Sequence, residues 1–243
     1  MRHFRTLLLL VIDSHMIEIE DQSPNNPFQI DTDDSPAAAV VEFINTHLPS
    51  FPTDFKEMRG STIIEGEEDI SQELCNYLQN RTYGPTQIFM FQFERKRLKS
   101  PRKSDFGVIA RSLGRPQLSR AFFVIEAKRL PPPGADREKE YVEGNYGGIE
   151  RYKKGHHGIG LKESALLGYI QKEDSAYWFK RINGWINDLI SSNTDADIEW
   201  NNDDVLVFDA DLTTTQKYRS ENVRIVDFKK DSITLHHYFI NLN

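Results

Sequence analysis

The spacing of hydrophobic positions along the 243-residue chain changes several times, and each change marks an element. Residues 37–48 read as a helix that Pro36 opens and Pro49 closes, with 54–61 irregular after it. Residues 67–79 place Ile70, Leu74, Tyr77 and Leu78 on one face at the helical period. Gly66 precedes this run and acids crowd its first turn, as a helix dipole prefers. Tyr83-Gly84-Pro85 is a turn, after which the period becomes two. Residues 87–93 alternate through Ile88, Phe89, Phe91 and Phe93, and 104–110 carry Phe106, Val108 and Ile109. Residues 121–127 (AFFVIEA) form a near-continuous apolar run, as in a central buried strand.

The proline-rich stretch 130–135 must be a loop, and 138–154 has helical stretches broken by Gly144, Gly147 and Gly148. Residues 164–170 read as a strand, 176–190 as a helix with Trp178, Ile182, Trp185 and Leu189 on one face, and 205–208 and 233–240 as strands. The order is helix, three-strand meander, helix, strand, helix and C-terminal strands. That predicts an α/β protein with a mixed sheet flanked by helices. Residues 1–60 are expected to form an N-terminal extension with an acidic linker near 18–36, 61–192 the core, and 193–243 strands that extend it.

Composition supports a packed core, with 38% hydrophobic and 11% aromatic residues, and excludes a disordered chain. Net charge is −7, yet between Arg95 and Arg129 there are eleven Lys/Arg and only two acids, Asp105 and Glu126. A local basic patch suits a phosphate backbone. Charge alone does not separate that reading from a solvated hairpin. One cysteine, Cys75, rules out an internal disulfide framework or a cysteine zinc site and fits a reducing cytoplasm. The run Leu7 to Ile12 is too short to span a bilayer, so no membrane association is expected.

The sharpest feature lies at the end of the apolar strand, where Phe122-Phe123-Val124-Ile125 leads into Glu126-Ala127-Lys128. Residues two apart on a strand face the same way, so Glu126 and Lys128 share a side. Burying both is unfavourable unless they are paired or bound to something. Asp105 opens the preceding strand, and antiparallel pairing would set it beside Glu126. Two converging carboxylates invite a divalent cation. Mg²⁺ suits hard oxygen ligands with open positions for water and phosphate. The plainer alternative is a strand-end ion pair with Asp105 in a turn.

Ser104-Asp105 and Glu126-Ala127-Lys128 resemble the signature of the PD-(D/E)xK nuclease superfamily, the restriction-endonuclease-like fold. Ser104 stands where that superfamily often has Pro, and the likeness covers roughly residues 65–192. The resemblance implies a metal-dependent nuclease, a DNA endonuclease acting in restriction, phage defence or repair. Asp105 and Glu126 would bind Mg²⁺, with Mn²⁺ as a substitute, and Lys128 would assist the attacking water. The Ala127 carbonyl and Glu67 would complete the metal set, although Glu67 reads equally as a complement to the helix dipole. Arg151, Lys154, Lys103 and Arg129 are candidate nucleic-acid contacts, and a solvated helix face is the alternative for Arg151 and Lys154. The segment from Gly148 to Gly158 is also similar to bacterial members of the superfamily.

Two other readings stand beside this one: a binding or assembly subunit that does not cut, and a nuclease acting on RNA. A homodimer or companion protein is the expected partner, since cutting both strands of a duplex needs two sites. His156-His157 and His236-His237 are assigned structural or surface roles, because adjacent histidines on a strand point apart.

Overall fold

Ser35 caps the first helix, its Oγ accepting from Ala38 N at 3.2 Å, and Pro36 sits at the first helical position, where its missing N–H is harmless. The computed structural model describes residues 35–60, 66–83, 88–96, 103–111, 121–144, 147–192, 198–226 and 229–243. Helix α1 spans Pro36–His47. Pro49 does not end helical structure. A 3₁₀ turn, Leu48–Ser50, passes into α2, Phe51–Arg59, whose Phe51, Pro52 and Phe55 are buried. The expectation of irregular chain after residue 54 is therefore corrected up to Arg59. Pro52 lies in the first turn of α2, where proline is tolerated.

Helix α3, Glu67–Arg81, leads into β1 (Phe89–Lys96), β2 (Lys103–Ala110) and β3 (Ala121–Leu130), which form the expected antiparallel meander. Of 138–154, only α4, Gly148–Lys153, is α-helix, and 138–144 folds as turns. Strand β4, Glu163–Ile170, then pairs parallel to β3. Helix α5, Ser175–Ser192, follows, and β5 (Val207–Asp211), β6 (Thr215–Val226) and β7 (Lys229–Asn241) complete one sheet in the order β1-β2-β3-β4-β7-β6-β5. β7 runs parallel to β4 and antiparallel to β6.

The protein is thus α/β, with a seven-stranded mixed sheet between two helical layers. Alternation along β3 and β4 divides the core. Phe123, Ile125, Ala165, Leu167 and Tyr169 join a cluster with α1, α2 and α3. Val124, Leu130, Leu166 and Ile170 join a second with Ile149 and Tyr152 of α4 and Trp178, Ile182, Trp185 and Ile186 of α5. No helix among the described residues is long and apolar enough to cross a membrane. The run Leu7 to Ile12, the acidic stretch before Ser35, most of the basic residues between β1 and β3, and the Lys103 side chain lie outside the described residues.

Candidate active site

The ladder between β2 and β3 ends at the pair Phe106–Ile125. Beyond that point β3 keeps β4 on one side and, among the described residues, has no strand on the other. Two amides, of Ala127 and Arg129, are left pointing into this fork. Buried amides require acceptors, and carboxylates supply them. Asp105 Oδ2 accepts from Ala127 N at 2.7 Å, and Glu67 Oε2 accepts from Arg129 N at 3.0 Å. Asp105 comes from β2 and Glu67 from the first turn of α3, so two elements meet at the fork through their side chains. The Ala127 carbonyl faces the same gap, since an extended residue presents N–H and C=O to one side.

Glu126 and Lys128 lie on one side of β3, as their spacing requires, and are only 2% and 4% exposed. Lys128 Nζ sits 3.1 Å from Glu126 Oε1 and 3.3 Å from Glu67 Oε1. Arg151, from α4, places Nη1 2.6 Å from the same Glu126 oxygen. His157, in the turn after α4, is 3% exposed, and its Nε2 lies 3.4 Å from Glu126 Oε2. Neither of those last two atoms has a hydrogen-bond partner among the described residues.

Burial, followed by the negative charge of Glu126, holds the Asp105 carboxyl well above the usual carboxylate range. Burial pushes the same way on Glu126, but Lys128, His157 and Arg151 outweigh it and keep its pKa below the ordinary value. For Lys128, burial favours the neutral amine, and the carboxylates of Glu126, Glu67 and Asp105 overcome it, so the group is a firm ammonium. Burial raises Glu67 against the opposing pull of Lys128. It also lowers His157 to about 4, which leaves a neutral imidazole near pH 7.

Among the described residues three carboxyl groups, of Asp105, Glu126 and Glu67, face two fixed cations, Lys128 and Arg151, so that one negative charge would be uncompensated with all three ionised. A proton on Asp105 can supply the balance, and so can a cation. The open oxygen of Glu126 and the excess charge fit a divalent ion held by few protein ligands. Among the described residues no three His, Cys, Asp or Glu side chains form a ready-made metal cage.

Of the residues singled out from sequence, Asp105, Glu126, Ala127, Lys128, Glu67 and Arg151 come together. Lys154 does not join them and pairs with Glu150 one turn back on α4. The Arg129 side chain is half-buried, and its Nε donates to Gln171 Oε1 at 2.9 Å. His236 and His237 do point to opposite faces. His236 bonds Glu163 at 2.9 Å, and His237 lies between Tyr141 Oη at 3.0 Å and Ser220 Oγ at 2.8 Å. His156 and His157, in contrast, lie in a turn and not on a strand. His157 is the site residue that sequence reasoning passed over. Its one signal was a pair of histidines set between Gly155 and Gly158, both at positive φ. No family model, curated protein or solved structure matched the chain.

Proposed function

We propose that this chain is a metal-dependent nuclease of the restriction-endonuclease-like, PD-(D/E)xK type that hydrolyses phosphodiester bonds in DNA. The observation that carries the reading is the fork between β2 and β3. There Asp105, Glu126, Lys128 and Glu67, drawn from three elements, converge on one gap in the sheet.

Asp105, Glu126 and the Ala127 carbonyl would hold Mg²⁺. The ion supplies Lewis-acid polarisation of the phosphoryl oxygen and offsets the charge that builds there. Lys128 is held as an ammonium by Glu67 and Glu126. It therefore acts as a donor, orienting the attacking water and stabilising the charge on the phosphate oxygens. The attacking water would give up a proton to solvent as its oxygen bonds to phosphorus in line and the P–O3′ bond breaks, and the 3′ oxygen would take up a proton from solvent. Glu67 keeps Lys128 in place and at the same time ties α3 to β3. Basic residues between Arg95 and Arg129 supply charge for the nucleic-acid backbone.

A second reading, a subunit that binds nucleic acid without cutting, has one observation in its favour. Glu126 Oε1 is already taken by both Lys128 and Arg151.

Cleavage of supercoiled plasmid, linear duplex, single-stranded DNA and RNA, with Mg²⁺, Mn²⁺ or EDTA, separates these readings. Wild type is expected to cut DNA only with metal. Lys128→Ala and Asp105→Ala are each expected to lose at least about a hundredfold. Cleavage of RNA alone would move the substrate, and persistent cleavage in both variants would overturn the site. Tight binding without cleavage in any condition would leave the second reading.

A further inference from the structure

We propose that His157 is a nitrogen ligand of the divalent ion at this site. Such a ligand shifts the preference of the site toward first-row transition metals, Mn²⁺ among them, and away from Mg²⁺. The inference rests on the metal-dependent reading above and names the metal.

Two observations carry it. Nε2 of His157 and Oε2 of Glu126 are both buried without a hydrogen-bond partner, yet they face each other 3.4 Å apart. Buried polar atoms are almost always satisfied, and an orphaned pair aimed at one point calls for a third body between them. Two donors 3.4 Å apart can share an ion at bond lengths of about 2.1 Å, with an angle near 108° at the metal.

The second observation is that the turn carrying His157 is held in place by purpose-fitted contacts. Gly155 and Gly158 take φ values of +64° and +58°, which side-chain-bearing residues rarely adopt. A Cβ on Gly155 would lie 2.6 Å from Val226 Cγ2. Arg224 of β6, almost fully buried, donates to the carbonyls of Gly158 and Leu161, and Asp231 fixes its guanidinium at 2.7 and 2.8 Å. The imidazole is thus aimed by a rigid loop. The two cations beside Glu126 contact its other oxygen, Oε1, and leave Oε2 clear.

An imidazole nitrogen changes the selectivity of a site. Mg²⁺ is a hard ion that favours oxygen, whereas first-row transition metals accept imidazole readily. One nitrogen and one carboxylate oxygen leave the remaining positions of the ion for water and a phosphate.

The test is metal binding by the full chain, without substrate. Mn²⁺ and Mg²⁺ are titrated calorimetrically into wild type and His157→Gln, and the pulsed electron-spin-echo spectrum of bound Mn²⁺ is recorded for each. Wild type is expected to bind Mn²⁺ at least tenfold more tightly than Mg²⁺ and to show nitrogen modulation from one imidazole. His157→Gln is expected to lose the modulation and weaken Mn²⁺ by about tenfold or more, while Mg²⁺ affinity barely changes. Bound Mn²⁺ without nitrogen modulation in wild type would overturn the inference and leave the Mg²⁺ nuclease standing. That spectrum needs no variant, so a misfolded His157→Gln does not blunt it. Absence of any divalent binding would remove the nuclease reading itself.

Discussion

Asp105 carries two loads that chemistry can separate. Its carboxylate satisfies the Ala127 amide, and its charge adds to a crowded cluster. Asp105→Asn keeps an acceptor for that amide and removes the charge. It should abolish cleavage and leave unfolding free energy unchanged or slightly higher. Asp105→Ala should also abolish cleavage but lose about 1–3 kcal/mol, because a buried amide goes unpaired. Urea titrations of the two variants check this; equal losses would show that Oδ2 is not the acceptor that matters. Glu126 and Lys128 were legible in the sequence because two charges at i and i+2 interrupt an apolar strand, and Asp105 because antiparallel pairing sets it opposite. His157 was not legible, since its partner is 31 residues away and meets it only through a turn.

His237 offers a residue-scale test of stability. It is fully buried, and burial lowers its pKa to about 3, against an ordinary value of 6.5. Between those values the unfolded chain binds the proton and the folded chain does not. The stabilisation is therefore complete above pH 6.5 and is lost progressively as pH falls toward 3. Denaturant unfolding of wild type and His237→Gln at pH 7, 5.5 and 4 should show a steeper decline in wild type. Parallel declines would mean that His237 is not the group responsible.

At the scale of elements, α4 and its following turn bring Arg151 and His157 to β3, and β6 holds that turn in place through Arg224. Arg224→Met removes the Arg224 donor from the Leu161 carbonyl and leaves the Gly158 carbonyl with the Leu161 amide. The expected loss is about 1–3 kcal/mol, with faster hydrogen exchange at 155–161 and weaker metal binding. Exchange that stays slow there would show that the glycine geometry alone fixes the turn. β6 was missed from sequence for a physical reason. Its buried positions are Thr215, Lys217, Tyr218, Ser220, Asn222 and Arg224, so only one of them is apolar and no hydrophobic alternation announces a strand. α2 was missed because Pro49 read as the end of helical structure, although it sits in the first turn of the 3₁₀ helix that leads into α2. The meander and β4 were legible because their apolar runs match the buried positions closely.

Across the whole molecule, the C-terminal strands are more than the extension they looked like. β7 lies against β4 in the middle of the sheet and contributes Ile233, Leu235, Tyr238, Phe239 and Ile240 to both core clusters. Removing residues 198–243 should therefore abolish a cooperative thermal transition and near-ultraviolet circular dichroism, and with them any cleavage. A truncated chain that kept both would show that the chain before residue 198 folds without the C-terminal strands.

The place of β7 also bears on timing. Glu163 on β4 meets Thr234 on β7, a partner about seventy residues later in the chain. Every side chain gathered at the fork, from Glu67 to His157, is synthesised before that partner exists. Pairings of such long range form slowly, because a large loop must close before any contact rewards it. A nascent chain therefore holds the ingredients of the site well before it has a finished sheet to array them on. The fork is therefore set in its finished sheet only after β7 has been made.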